Sequence, residues 1–242
     1  MKRTDGRSAN HLRPISFEPG FTRWAEGSVL TKFGNTHVLC NVTIEDTLPN
    51  WLRYSNATHG WLTAEYAMLP RSTQRRSNRE QRWPKGRTQE ISRLIGRSLR
   101  MALDLEKLGQ RTITIDCDVL QADGGTRTAA ICGGWVALTL ALQPLIAAEA
   151  VPADLHRHQI AAISVGMVDG VPLLDLPYSE DVAAEVDLNV VMTALGDLVE
   201  IQGTAEKAPL ARSNLDDLLQ LAQQGINDII TLQKAVIESK HE

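Results

Sequence analysis

The chain has 242 residues, 43% hydrophobic and 22% charged, with a formal net charge of −4. Apolar content at this level fills one large core or two small ones and excludes a disordered chain; the lack of ~20 consecutive apolar residues, and of an apolar stretch in the opening MKRTDGRSANHLRP, leads us to expect a cytoplasmic protein with no membrane partner. Charge is uneven, with 17 basic and 8 acidic groups in residues 1–100 against 8 and 21 in the rest, so a local anion site is expected rather than a generally adhesive surface.

In chain order, FTRWAEGSVLTKF and THVLCNVTIED flank Gly34-Asn35, a pair suited to a tight turn, and predict a hairpin over about 22–45. Residues 47–86 show little periodicity and read as a functional loop or a partly disordered stretch. Ile91, Leu94, Ile95, Leu99, Ala102 and Leu103 recur at helical spacing, predicting a helix over 88–108 closed by Gly109, with Arg93, Arg97 and Arg100 on its other face. Residues 112–120 alternate as a half-buried strand. ADGGTRT then leads into a helix over about 127–149 that is apolar nearly all round and hence central. Asp169-Gly170 and Gly196-Asp197 mark two more hairpins, and helices are predicted over 214–224 and 226–237, broken near Gly225. Hairpins separated by helices give an α+β class, here a single domain with halves at about 1–150 and 151–242.

The chemistry concentrates in a few segments. Gly125, Thr126 and Arg127 sit between a strand and a helix, where backbone N–H groups and the partial positive charge of a helix start favour an anion and a guanidinium adds a planar fork. An ordinary turn in which Thr126 caps the helix is the plainer alternative. Arg87 stands in a similar Gly-Arg-Thr start of the preceding helix. Asp175, Glu180, Asp181, Glu185 and Asp187 cluster later; Asp187 shares a strand face with Asn189, a donor set suited to Mg²⁺ with phosphate oxygens, or else a solvated acidic loop. Arg71, Arg75, Arg76, Arg79, Arg82 and Lys85, beside Trp83, have the composition of a nucleic-acid contact or of a solvated face. Cys40, Cys117 and Cys132 show no C-x-x-C spacing and read as small core residues, and His156-x-His158 reads as surface. Nucleophile-elbow, P-loop and Rossmann patterns are absent from the sequence.

RTDGR (3–7), WLTAEYAMLPRST (61–73), GRTQEISRLIGRSLR (86–100), TIDCDVLQADGGTRTA (114–129), SEDVAAEVDLNVVMT (179–193) and IQGTAE (201–206) together resemble the RNase PH family, with departures at Arg82-Trp83-Pro84 and Lys207. The resemblance implies an RNase PH-like fold of two related βαβ-containing halves, assembled as a homohexamer, a trimer of dimers. It also implies a phosphate-dependent 3′ exoribonuclease, a nucleotidyltransferase acting on tRNA precursors and other RNA 3′ ends, with inorganic phosphate as co-substrate. Carried onto this sequence, it makes Arg87, Gly125, Thr126 and Arg127 phosphate-binding, and Asp181 and Asp187 catalytic and metal-linked through Mg²⁺. Arg71, Arg75, Arg76 and Arg79 are then expected to bind RNA. A metal-dependent hydrolytic nuclease and a noncatalytic, RNA-threading ring subunit are the rival readings.

Overall fold

A computed structural model describes residues 3–55, 57–79, 86–207 and 209–239. In chain order the elements are β1 (Ile15–Pro19), β2 (Gly27–Phe33), β3 (Thr36–Glu45), α1 (Asn50–Arg53), β4 (Trp61–Met68), α2 (Gly86–Arg100), β5 (Thr112–Gln121), α3 (Thr126–Ala147), β6 (Ile160–Val168), β7 (Val171–Leu174), α4 (Tyr178–Ala183), β8 (Val186–Thr193), β9 (Leu198–Ala205) and α5 (Arg212–Glu238). A five-stranded sheet runs β1-β2-β3-β5-β4 and a four-stranded sheet β7-β6-β8-β9. The first is mixed, because β4 pairs parallel to β5 through the crossover helix α2, and the second is antiparallel throughout. The α+β class is as the sequence indicates.

Helix α3 packs on β2 and β3 of one sheet and on β6 of the other. That placement explains its composition: Ala129 through Leu138 are buried in an unbroken run. By length and composition α3 could cross a membrane, yet 67% of its apolar window is buried inside the fold, which makes it a core helix. Each fully buried Leu or Ile here contributes roughly 1.5–3 kcal/mol. Cys40, Cys117 and Cys132 are buried and free, as expected of core residues.

Several boundaries differ from the sequence reading. The first hairpin begins at Gly27 rather than near residue 22, and is preceded by an unforeseen edge strand, β1. The stretch 47–86, read as loop, contains β4, whose Leu62, Ala64 and Tyr66 face the core. Helix α2 ends at Arg100 because the following segment is taken by tertiary pairing: Leu103 bridges His156, and Gly60 N–H donates to Leu105 O at 2.8 Å. The two C-terminal helices are one, α5; a side chain at Gly225 would lie 2.8 Å from Leu174 Cδ1, so glycine serves close packing there and not a break. His156 is partly buried rather than on the surface, and burial lowers its pKa.

Strands β4 and β5 run in the same direction and deliver two loops to one end of the sheet. Beyond β4 lies the loop carrying Arg71, Arg75, Arg76 and Arg79; beyond β5 lies Asp123–Arg127. A backbone bond from Ala122 N to Ser72 O, 2.8 Å, ties the two loops at their roots.

Candidate active site

The turn into α3 is built from two glycines with positive φ, Gly124 at +74° and Gly125 at +65°. At Gly124 the need is steric as well, since a Cβ would lie 2.4 Å from the Leu176 carbonyl oxygen. Gly125 is the N-cap of α3 and supplies no side-chain cap, so the first N–H groups of the helix are open to an anion. Thr126 does not act as a side-chain cap either: its Oγ1 lies 2.8 Å from the hydroxyl of Tyr66, which reaches across from β4. Burial raises the Tyr66 pKa, so the phenol stays neutral beside the loop.

Arg127 occupies the first turn of α3, and its Nη1 donates to Gln202 Oε1 on β9 at 2.9 Å. Glu90, three residues beyond Arg87 on α2, is 3.5 Å from the same Nη1, and Gln202 Nε2 donates to Glu90 at 3.0 Å. A carboxylate and an amide from different elements therefore orient this guanidinium. Arg87, at the start of α2, is exposed, and its charge is felt at Tyr66, Asp181 and Asp187.

The carboxylates divide in a way the sequence does not reveal. Asp175 is fully buried in an ion pair with Arg13 (2.6 Å), and Glu180 is buried against Arg3 (2.6 Å). Asp181, on α4, and Asp187, on β8, are the two that face the arginines. Strand register sets Asp187 opposite Gly166 on one side and Thr204 on the other; Asn189 lies opposite Ser164 and Gln202, so these residues share one sheet face. Burial pushes the Asp187 carboxyl up to about 6, and neighbouring Asp181 adds to the rise while Arg127 and Arg87 oppose it. Burial likewise raises Asp181, against the pull of Arg87 and Arg127. Asp187 Oδ1 is buried without a hydrogen-bond partner among the described residues.

Two helix starts, each with an arginine, thus converge on two partly buried carboxylates, a layout that can hold an anion against a cation-seeking pair. Tyr66, Glu90, Gln202 and Glu206 join this cluster without having been singled out in the sequence. Only Glu90 carried a readable signal, its helical spacing from Arg87. Two concave sites, about 360 Å³ beside Asp46 and Arg53 and about 190 Å³ beside Ala9 and Leu221, share no residue with it. Chemistry, not cavity size, marks the site.

The arginine loop is exposed. Arg71 Nη1 donates to Gln74 O at 2.9 Å and Arg76 Nη1 to Asn78 Oδ1 at 3.3 Å, while Arg75 and Arg79 are open to solvent. Arg82, Trp83, Pro84 and Lys85 lie outside the described residues. Lys207, a departure from the family pattern, donates to Ala183 O at 2.7 Å and so ties the end of β9 to the end of α4.

Comparison with known proteins identifies the family. Residues 11–144 match the model for the 3′ exoribonuclease family, domain 1, and residues 158–225 that for domain 2. The chain is 54% identical over 236 residues to the ribonuclease PH of Crocosphaera subtropica, covering 98% of each chain. It is 53% identical over 238 residues to that of Solibacter usitatus, covering 98% of this chain and 99% of the other. Among solved structures, rice Rrp46 superposes with a TM-score of 0.78 at 19% identity, covering 97% of this chain and 99% of that one. A chain of the Archaeoglobus fulgidus exosome with RNA bound to the active site superposes at 0.76 and 22% identity, covering 94% and 91%. With both domain models matched in order and near-full-length identity above one half, the chain belongs to the ribonuclease PH branch of the 3′ exoribonuclease family.

Proposed function

We propose that the chain is a phosphate-dependent 3′-to-5′ exoribonuclease that shortens tRNA precursors and other RNA by reversible nucleotidyl transfer. The observation that carries this reading is the pair of arginine-bearing helix starts, Arg87 on α2 and Gly125–Arg127 on α3, set against Asp181 and Asp187. An oxygen of inorganic phosphate attacks the terminal phosphodiester phosphorus, the bond to the preceding 3′ oxygen breaks, and a nucleoside diphosphate leaves. The freed 3′ oxygen takes up the proton that the attacking phosphate gives up, relayed by water or, when its carboxyl holds no ion, by Asp181, whose protonated form burial favours. Arg87, Arg127 and the Gly125–Thr126 amides hold the phosphate, so catalysis is largely positioning and electrostatics.

Asp181 and Asp187 also fit a hard divalent ion such as Mg²⁺. The unpaired, buried Oδ1 of Asp187 is a ready ligand for an ion held by the two carboxylates, waters and substrate. Bound there, the ion would neutralise charge on the transferring phosphoryl group.

The decisive experiment supplies labelled RNA with Mg²⁺, with and without phosphate, and identifies the mononucleotide. Diphosphates, and negligible turnover without phosphate, are expected; monophosphates released at equal rate in phosphate-free buffer would favour the hydrolytic rival. No release in either buffer would favour the noncatalytic one.

Arg71, Arg75, Arg76 and Arg79 hold the body of a structured RNA while its 3′ end enters the site, a role supported by their exposure and by the Ala122–Ser72 tie to the phosphate loop. Each phosphate contact contributes roughly 0.9 to the salt-dependence slope, on an argument developed for duplex DNA. A triple alanine variant at Arg71, Arg75 and Arg76 is expected to flatten that slope and weaken precursor tRNA binding much more than turnover of a short single strand. Equal losses on both substrates would move these side chains to the catalytic centre. A homohexamer is the proposed assembly, supported by large apolar side chains left exposed, among them Trp24 at 85% and Leu195 at 81%. Light scattering should give six times the chain mass, and a monomer at micromolar concentration would contradict it.

A further inference from the structure

We propose that Arg3 and Arg13 are positioning residues of this site, fixing the Asp123–Gly125 loop and the helix that carries Asp181 through buried ion pairs. The inference builds on the phosphorolytic reading but stands on its own geometry. Neither arginine reaches the reacting groups as described above.

A guanidinium is taken into a protein interior at little cost only when its five N–H donors all find acceptors. Arg3, 3% exposed, meets this condition. Its Nε and Nη2 grip the two oxygens of Glu180 at 3.1 and 2.6 Å, and its remaining donors reach the carbonyls of Leu174 (2.8 Å) and Asp175 (2.9 Å), with longer bonds to Ser8 and His11. Arg13 grips Asp175 with Nε (3.0 Å) and Nη2 (2.6 Å), and its Nη1 donates to the Asp123 carbonyl at 2.5 Å, directly before the two glycines of the phosphate loop.

In the loop these bonds work beside Thr36, whose Oγ1 accepts the Asp123 N–H at 2.9 Å and donates to Gly124 O at 2.6 Å, whereas α4 depends on them more heavily. Helix α4 has six residues, lacks a side-chain cap, and has Glu180 as its buried residue; Tyr178 and Val182 stand 58% and 64% exposed. An ion pair, not apolar packing, seats the helix, and Asp181 is the next residue. Asp123 completes the link, because its Oδ1 accepts the Tyr178 N–H at 3.2 Å at the start of α4. Asp175, at the hub, sits at φ +55°, a conformation costly for a non-glycine residue, which its bonds to Arg13 and to Ser164 O hold in place. Buried ion pairs add little stability over apolar packing of the same volume; what these two supply is the placement of the phosphate loop and of the Asp181 helix.

The test uses the full chain and two variants chosen to avoid a stranded buried charge. Arg3→Met/Glu180→Met removes one pair entirely; Arg13→Lys keeps the charge and loses the fork. Thermal melting establishes that each is folded, hydrogen–deuterium exchange reads residues 123–127 and 178–183, and kinetics separate kcat from the phosphate KM. The double variant is expected to exchange roughly tenfold faster over 178–183 with strands β5, β6 and β8 unchanged. Its kcat should fall about tenfold with phosphate KM within about twofold, the scale on which misplaced groups act. Arg13→Lys should loosen 123–127 and raise phosphate KM about tenfold with a smaller change in kcat. Exchange and both kinetic constants within about twofold of the unaltered chain, in folded variants, would overturn the proposal. If the unaltered chain shows no phosphate-dependent turnover, the phosphorolytic reading fails by itself, and exchange at the two segments alone decides whether the arginines fix them.

Discussion

Asp187→Asn is expected to lower turnover by roughly two to three orders of magnitude, the loss typical when one preorganised electrostatic group is removed from a site, while making the folded chain more stable at neutral pH. Both effects come from the same burial. In the folded chain the carboxyl titrates at about 6, against 3.8 for an ordinary aspartate, so the native state binds this proton more tightly than the unfolded state does. The contribution to stability is therefore most favourable below the lower value, declines as pH rises from 3.8 towards 6, and is fully unfavourable above it. Asparagine never ionises, and at pH 7 and above it should relieve about 1–3 kcal/mol of that cost, less whatever its own unpaired amide loses. The unaltered enzyme should gain activity as pH rises through about 6, where Asp187 ionises. Denaturant melts at acid and neutral pH, beside turnover across a magnesium titration, check the two halves separately. A variant with normal turnover, or one destabilised at neutral pH, would remove Asp187 from the charged centre of the site.

The fold was legible where local signals and tertiary structure agree. Gly34 and Gly170 adopt the positive φ that their turns require, and α3 is central for the reason its all-round apolar composition indicates. Strand β4 was hidden because its alternation runs through Ala64 and Ala67, residues of weak strand preference, and its pairing partner lies beyond an intervening helix. Glycine in a helix costs about 1 kcal/mol, which made Gly225 look like a break, but close packing on Leu174 and Leu12 offsets it. The anion side of the site could be read from sequence, since arginine and glycine at helix starts are the types that such chemistry needs. The acidic side could not be sorted. Asp175, Glu180, Asp181 and Asp187 look alike along the chain; only partners more than 160 residues away, Arg13 for Asp175 and Arg3 for Glu180, show which two are structural.

Arg127→Ala should raise the phosphate KM by roughly ten- to a hundredfold, because a charge-assisted hydrogen bond contributes about 1.5–3 kcal/mol. Gln202 and Glu90 both engage Nη1, which leaves the other edge of the guanidinium to meet an anion. Arg127→Lys keeps the charge but cannot reproduce the planar fork, so it should fall between alanine and the unaltered chain. A second consequence distinguishes a site arginine from one that merely packs. Arg127 opposes the rise in the Asp187 pKa, so without it the carboxyl should titrate higher and the acid limb of the pH–rate profile should move to higher pH. The lysine variant should leave that limb nearly in place, since it retains the charge. A folded alanine variant with both an unchanged phosphate KM and an unmoved acid limb would exclude Arg127 from phosphate binding and from the field around Asp187.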